Sequence, residues 1–265
     1  MKIAVTGKGG CGKTTIAGTL ARLWGRDGVD MLAVDADPNY NLWVSLGLEE
    51  DKAKGIVPLL EQDEVVEERT KTEWVKAVGG FFRKNPRVAD LAERFAVTCP
   101  DNVRLLVAGT VNVGGSGCMC PSAALLKALI RHLIIAEDEA FLMDMDAGIE
   151  HLGRGTTKGM DALVVVVEPS MSSIRTLNRI VGLAGDIGHS KAVVVGNKVR
   201  GEQDQTFIEE EVAARGFSLI GMIPDDENVR TAGRKGRAPL DYASDCSAID
   251  EIRKAKSQLD SLISK

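Results

Sequence analysis

What this 265-residue chain lacks removes several classes of protein at once. No apolar run approaches the ~20 residues needed to cross a bilayer. There is no basic excess: 33 Lys and Arg face 38 Asp and Glu, for a net charge of −5. Nucleic-acid binders usually carry a basic face, so DNA or RNA is not expected as the main partner. Met1-Lys2 leads straight into a short apolar run and then glycines. A secretory leader needs a longer apolar region and a cleavage site, so the expected location is cytoplasmic, with no membrane insertion. Thiols stay reduced there. The five cysteines (Cys11, Cys99, Cys118, Cys120, Cys246) are odd in number and read as free thiols or metal ligands rather than a disulfide framework. The three histidines form no metal-storage tract, and there is no internal repeat, low-complexity segment or linker long enough to separate domains.

What is present is ordinary for a globular chain, 44% hydrophobic and 27% charged. Short runs rich in Val, Ile and Leu predict strands at Lys2–Thr6, Met31–Asp35, Val103–Ala108, Ala140–Asp144, Ala162–Val167, Ala192–Val195 and Phe217–Ile223. Most lack polar alternation, which marks strands buried on both faces of a parallel sheet. Helical patterns alternate with them: one beginning near Lys13, with Ile16, Leu20, Leu23 and Trp24 on one stripe, then Ser122–Ala136, Ser173–Asp186, Gln205–Arg215 and Ala248–Ile263. The expectation is an α/β fold, a doubly wound, mostly parallel sheet with helices on both faces. Residues 1–265 read as a single domain. A polar, charged stretch at about 49–100, anchored by Trp74, Phe81 and Phe82, reads as a helical insertion covering one side of the sheet.

Gly7-Lys8-Gly9-Gly10-Cys11-Gly12-Lys13-Thr14 fits G-x-x-x-x-G-K-[ST], placed between a strand and a helix as that motif requires. Gly7, Gly9, Gly10 and Gly12 let backbone N–H groups wrap phosphates, and the helix adds its positive end. Lys13 would reach the β- and γ-phosphates of ATP. The Thr14 hydroxyl would ligate Mg²⁺, and the nucleotide segment runs on through Thr15. Asp35 and Asp37 end the second strand, where open α/β sheets place ligands, and alternation puts both carboxylates on one side. One could hold a metal-bound water while the other orients the attacking water; turn formation at Asp37-Pro38-Asn39 is the plainer alternative. The apolar run Phe141-Leu142-Met143 ends in Asp144, which looks like a Walker B aspartate on the Mg²⁺ shell. Gly148 follows near the expected γ-phosphate. Asn197, in Gly196-Asn197-Lys198, carries an amide able to pair with adenine N6 and N7.

The string Lys8-Gly9-Gly10-Cys11-Gly12-Lys13-Thr14 resembles the deviant Walker A loop of the MinD/ParA/nitrogenase-iron-protein group of dimeric ATPases. The resemblance implies that Lys8 crosses a dimer interface to the partner's nucleotide. It also implies that Asp37 handles the attacking water, that Asp35 supports the metal, and that Asn197 and Lys198 meet the adenine, with Pro224 and Asp225 on its far side. Cys11 stands where the group usually has an apolar residue and reads as packing. Asp146 departs from the group, which carries a small or apolar residue there; a third carboxylate could alter Mg²⁺ handling or simply face solvent.

Cys118-Met119-Cys120 narrows the reading further. Pro121 biases Cys120 toward extended backbone, where residues i and i+2 point the same way. A helix N-terminus lowers a thiol's pKa, and the thiolate is the metal-binding form. Two thiolates are half of a tetrahedral site, and a two-fold dimer would supply the other half. Two small buried residues at a helix start are the plainer alternative. With Asp144-Met145-Asp146-Ala147-Gly148-Ile149-Glu150-His151-Leu152 and Glu168-Pro169 ahead of Ser173-Ile174, the pair resembles the CooC type. These are accessory ATPases for nickel insertion into carbon monoxide dehydrogenase, with relatives serving acetyl-CoA synthase. The resemblance implies a homodimeric ATP-dependent metallochaperone with Ni²⁺ or Zn²⁺ held between two Cys118/Cys120 pairs. Two alternatives stand beside it. One is an electron-transfer ATPase like the nitrogenase iron protein, disfavoured because residues 145–160 contain no cysteine. The other is a MinD/ParA-like positioning ATPase.

Overall fold

The structure is a computed structural model and describes residues 1–37, 39–70, 87–109, 121–135, 140–146, 159–186 and 192–264. Strand β1 (Lys2–Gly7) feeds helix α1 (Lys13–Arg26) and then β2 (Met31–Ala36). Short helices α2 (Leu42–Ser45) and α3 (Glu50–Ala53), a 3₁₀ turn (Leu59–Glu61), α4 (Asp63–Thr70) and α5 (Leu91–Phe95) follow. The chain continues through β3 (Val97–Cys99), β4 (Val103–Val107), α6 (Pro121–Ile135) and β5 (Ala140–Met145). Then come β6 (Ala162–Val167), α7 (Met171–Asp186), β7 (Ala192–Val199), α8 (Glu202–Ala213) and β8 (Ser218–Pro224). Helices α9 (Glu227–Arg234), α10 (Pro239–Tyr242) and α11 (Ser247–Ile263) close the described chain.

Eight strands among the described residues form one sheet in the order β3-β4-β2-β5-β1-β6-β7-β8. Every pairing is parallel except β3 with β4. Alternation along each strand divides the apolar side chains between two cores. Leu32, Val34, Phe141, Met143 and Val165 face one side, packed with Leu125 and Leu129 of α6 and Leu177 of α7. Ile3, Val5, Ala33, Leu142 and Val166 face the other, packed with Ile16 and Leu20 of α1 and Ile249 and Ile252 of α11. Each fully buried Ile or Leu contributes about 1.5–3 kcal/mol, so both helix layers are held chiefly by these stripes. This is the doubly wound fold expected from the sequence.

Four details depart from the sequence reading. Val97–Cys99 is an antiparallel edge strand inside the stretch read as helical, and Asp101 and Asn102 turn it into β4 with positive φ. Cys99 packs there, buried. Strand β7 runs on to Val199 through a bulge between Gly196 and Val199. Helix α8 begins at Glu202 and α7 at Met171, each a little earlier than their apolar patterns mark. Within the 49–100 stretch, Leu59, Leu60, Val65, Val66 and Leu91 do bury themselves against one sheet face. Trp74, Phe81 and Phe82 lie outside the described residues.

A buried arginine ties the two ends of the chain. Arg22 of α1 is 2% exposed. Its Nε donates to Asp101 and its two terminal nitrogens donate to Asp241, each at 2.7 Å. Nearby, Trp24 Nε1 donates to Asp260 of α11 at 2.7 Å.

Candidate nucleotide site

The loop between β1 and α1 is shaped by close approaches that only glycine allows. A Cβ on Gly7 would stand 2.4 Å from the Val166 carbonyl oxygen and 2.8 Å from Cys11 Sγ. Gly12 caps α1 in the left-handed region (φ 95°), and a Cβ there would meet Asn197 Nδ2 at 2.2 Å. The first turn of α1 contains no acidic residue, so its free N–H groups keep their positive character. Cys11 is fully buried, and burial pushes its thiol up to about 11. It remains a neutral packing group, as expected.

Lys13 is nearly buried and lies 3.0 Å from Asp37 Oδ2 and 3.7 Å from Asp146 Oδ1. Burial pulls its pKa down, but the Asp37 hydrogen bond and the surrounding carboxylates outweigh this and raise it. Asp37 is also fixed by Asn39, whose backbone N–H donates to Oδ1 at 3.0 Å. Against the cost of burial, those donors hold its carboxyl below the usual range. Asp146 is half-exposed with Oδ1 3.7 Å from Lys13 Nζ, and its backbone carbonyl accepts from Thr6 Oγ1 at 2.8 Å.

Asp35 and Asp144 are Cα partners on neighbouring strands. Asp35 accepts backbone N–H groups from Asp37 (3.1 Å) and Leu42 (2.9 Å). Burial nevertheless raises its pKa to about 6. Among the described residues no donor meets either oxygen of Asp144 in hydrogen-bonding geometry, although both are fully buried. Burial and the adjacent Asp35 push Asp144 up to about 8, against the nearby Thr14 hydroxyl and Lys13. A buried, unpartnered carboxylate beside a hydroxyl is a donor set of hard oxygens, which suits Mg²⁺. Thr14 and Asp144 fit such an ion, with Asp35 next to them.

The residues expected around the base also come together. A cavity of about 100 Å³ is lined by Gly12, Thr15, Asn197, Lys198, Pro224 and Asp225, among others. Asn197 has a duty that its sequence position did not reveal: Nδ2 donates to the Cys11 carbonyl at 2.7 Å, supporting the phosphate loop. Lys198 has a positive φ of 60° at the β7 bulge. Its Nζ donates to the Gly10 carbonyl at 2.6 Å. A non-glycine residue in that region is held there by its surroundings and often marks a functional site.

Glu168 was quoted in a motif but given no role by sequence reasoning. It follows β6 and binds Lys8 at 2.8 Å, with Lys198 at 3.9 Å. Lys8 and Lys198 both pull its carboxyl down, Lys8 most strongly. The available signal was position: a charged residue leaving a strand that pairs with β1. Cys118, Cys120, Gly148, His151 and His189 lie outside the described residues. Among the described residues no group of three or more His, Cys, Asp or Glu side chains could hold a metal ion. Cys246, like Cys99, is buried in the core beside α1. No helix among the described residues is long and apolar enough to cross a membrane.

Residues 2–240 match the family described as the CobQ/CobB/MinD/ParA nucleotide binding domain. The chain belongs to this family. It is 41% identical over 248 residues to the carbon monoxide dehydrogenase accessory protein CooC of Rhodospirillum rubrum, covering 93% of this chain and 92% of that one. It is 42% identical over 257 residues to an uncharacterized ATP-binding protein of Methanocaldococcus jannaschii, covering 96% and 95%. Among solved structures it resembles the septum site-determining protein MinD with Mg-ADP from Pyrococcus horikoshii. That match has a TM-score of 0.70 at 19% identity and covers 98% of this chain and 96% of the other. This protein is thus a P-loop ATPase of the CobQ/CobB/MinD/ParA family and a relative of CooC.

Proposed function

We propose that this ATPase is a homodimeric metallochaperone that delivers nickel to a client enzyme, carbon monoxide dehydrogenase or acetyl-CoA synthase. The observation that carries the reading is the Cys118-Met119-Cys120 pair ahead of α6, in a chain 41% identical to CooC across nearly its whole length. Two such pairs across a two-fold axis make four thiolates, which suit Ni²⁺ or Zn²⁺ as cargo. A partition role accounts for the ATP site equally well but leaves this pair without a function, and an electron-transfer role of the iron-protein kind lacks a cysteine within residues 145–160.

In this reading the loop Gly7–Thr15 binds the phosphates of ATP. Thr14 and Asp144, with Asp35 behind them, would hold Mg²⁺, which neutralises phosphate charge when bound. The β- and γ-phosphate oxygens draw Lys13 away from Asp37. Asp37 Oδ2 then becomes available to accept a hydrogen bond from the attacking water and orient it toward the γ-phosphorus. Lys8 leaves Glu168 and reaches the nucleotide of the partner subunit, so ATP binding closes the dimer and hydrolysis reopens it. Metal bound between the cysteine pairs favours the same closed dimer and must by linkage strengthen ATP binding.

The test is an anaerobic Ni²⁺ titration of the reduced protein with ATP or ADP present, the mass in solution being followed in parallel. One Ni²⁺ per two chains with a thiolate-to-metal absorption band is expected, and Cys118→Ser/Cys120→Ser should lose both. Equal weak binding by the two proteins would remove the metal role and leave a nucleotide-switched ATPase with another client. Lys8→Ala should bind ATP but fail to dimerise with it.

A further inference from the structure

Asp225 stands between two cavities. On one side is the ~100 Å³ slot beside the phosphate loop; on the other is an open groove of about 750 Å³ lined by Arg200, Gln205 and Met222, and Arg230 lines both. Asp225 itself is 9% exposed. Each of its oxygens accepts one guanidinium hydrogen bond, and the two cations together answer its charge. Arg200 Nε donates to Oδ2 at 2.5 Å, and Arg230 Nη1 donates to Oδ1. Arg230 is in turn aimed by Glu227, which accepts from its Nε at 2.9 Å and its Nη2 at 2.5 Å. The two arginines come from different elements, one leaving β7 and one within α9.

The consequence concerns base selection. Guanine presents N1–H and the N2 amino group side by side, a donor pair that matches the two oxygens of a free carboxylate. Adenine presents an acceptor at N1 and one amino group at N6, and gains nothing from a bidentate acceptor. A carboxylate at the wall of a base slot would therefore favour guanine unless its oxygens were already engaged. We infer that Arg200 and Arg230 are specificity residues that occupy both oxygens of Asp225 and so keep the slot selective for adenine nucleotides. The inference rests on the reading that this slot holds the base.

The test compares ADP and GDP, each carrying a fluorescent methylanthraniloyl group on the ribose, titrated with Mg²⁺ into wild type and Arg200→Ala/Arg230→Ala. Thermal melting serves as a folding control; both arginine side chains are well exposed, at 75% and 43%. Wild type should prefer ADP. The double variant should bind GDP roughly tenfold more tightly than wild type, the scale of one bidentate pair, so that its preference for ADP over GDP falls accordingly. Adding Asp225→Ala should abolish that gain. Unchanged GDP affinity with intact ADP binding overturns the inference, as does parallel weakening of both nucleotides, which would make the arginines mere supports of the slot. Absence of any base preference in wild type would instead sink the slot reading itself.

Discussion

Asp35 and Asp144 face each other in register on adjacent parallel strands, yet among the described residues backbone N–H groups donate to Asp35 alone. Asp35 is anchored by two backbone N–H groups. Asp144 has only the nearby Thr14 hydroxyl and the Lys13 charge against its burial, and a buried carboxylate so placed costs stability until a ligand arrives.

Asp144→Asn should therefore separate stability from activity. With its folded pKa raised to about 8, Asp144 weakens the nucleotide-free protein as pH rises from its unfolded value, near 3.8, through about 8. In EDTA, wild type should lose more melting temperature between pH 6 and pH 8.5 than Asp144→Asn does. The same variant should lose Mg²⁺-dependent ATP hydrolysis. Identical melting profiles would show that the carboxylate is not strained by burial.

Asp37→Asn tests the exchange of partners at Lys13. In the proposed mechanism Asp37 orients the attacking water, so its loss should lower kcat by about 10²–10⁴-fold. Nucleotide affinity should hold or tighten, because Lys13 no longer has a carboxylate to leave. Steady-state rates and ADP titration measure the two separately, and a variant that loses binding in step with kcat would overturn the assignment.

Asp226 offers a second stability test. Its Oδ1 accepts from Asn228 N at 2.8 Å, capping α9, while Oδ2 accepts from Ser247 Oγ at 2.9 Å and Ala248 N at 3.3 Å at the start of α11. Asp226→Ala should cost about 2 kcal/mol, one cap for each helix. Burial alone would raise its pKa, but these donors prevail and hold it at about 2. Its stabilisation is present above the unfolded value near 3.8 and disappears as pH falls through about 2. Denaturant melts at pH 7 and pH 2 should show the wild-type and variant midpoints converging in acid.

Arg22→Met should cost about 3 kcal/mol by urea denaturation, because Asp101 and Asp241 lose the cation they share. Arg22→Met/Asp241→Asn should recover part of the loss, which additive behaviour would not allow.

The phosphate loop was legible because phosphate chemistry dictates the spacing of Gly7, Gly12, Lys13 and Thr14. The carboxylates were legible from their strand ends. Strand β3 was not, since three residues with one exposed threonine carry no periodicity distinct from a loop. Nor were the partners of Glu168 and Asn197. Lys8 is 160 residues from Glu168, and Asn197 is 186 from Cys11, distances that only the folded sheet closes. The same holds for the guanidinium pair on Asp225, whose members read singly as ordinary surface arginines.

The bonds from Arg22 to Asp241 and from Trp24 to Asp260 also set an order in time. The glycine-rich loop is made well before the partners of the helix that follows it, whose bonds reach more than 200 positions further along the chain. During synthesis the nascent chain holds its nucleotide motif long before it holds the buttress for it. A chain stopped before residue 241 would display the loop on an α1 that packs on the sheet but lacks both of these outer bonds.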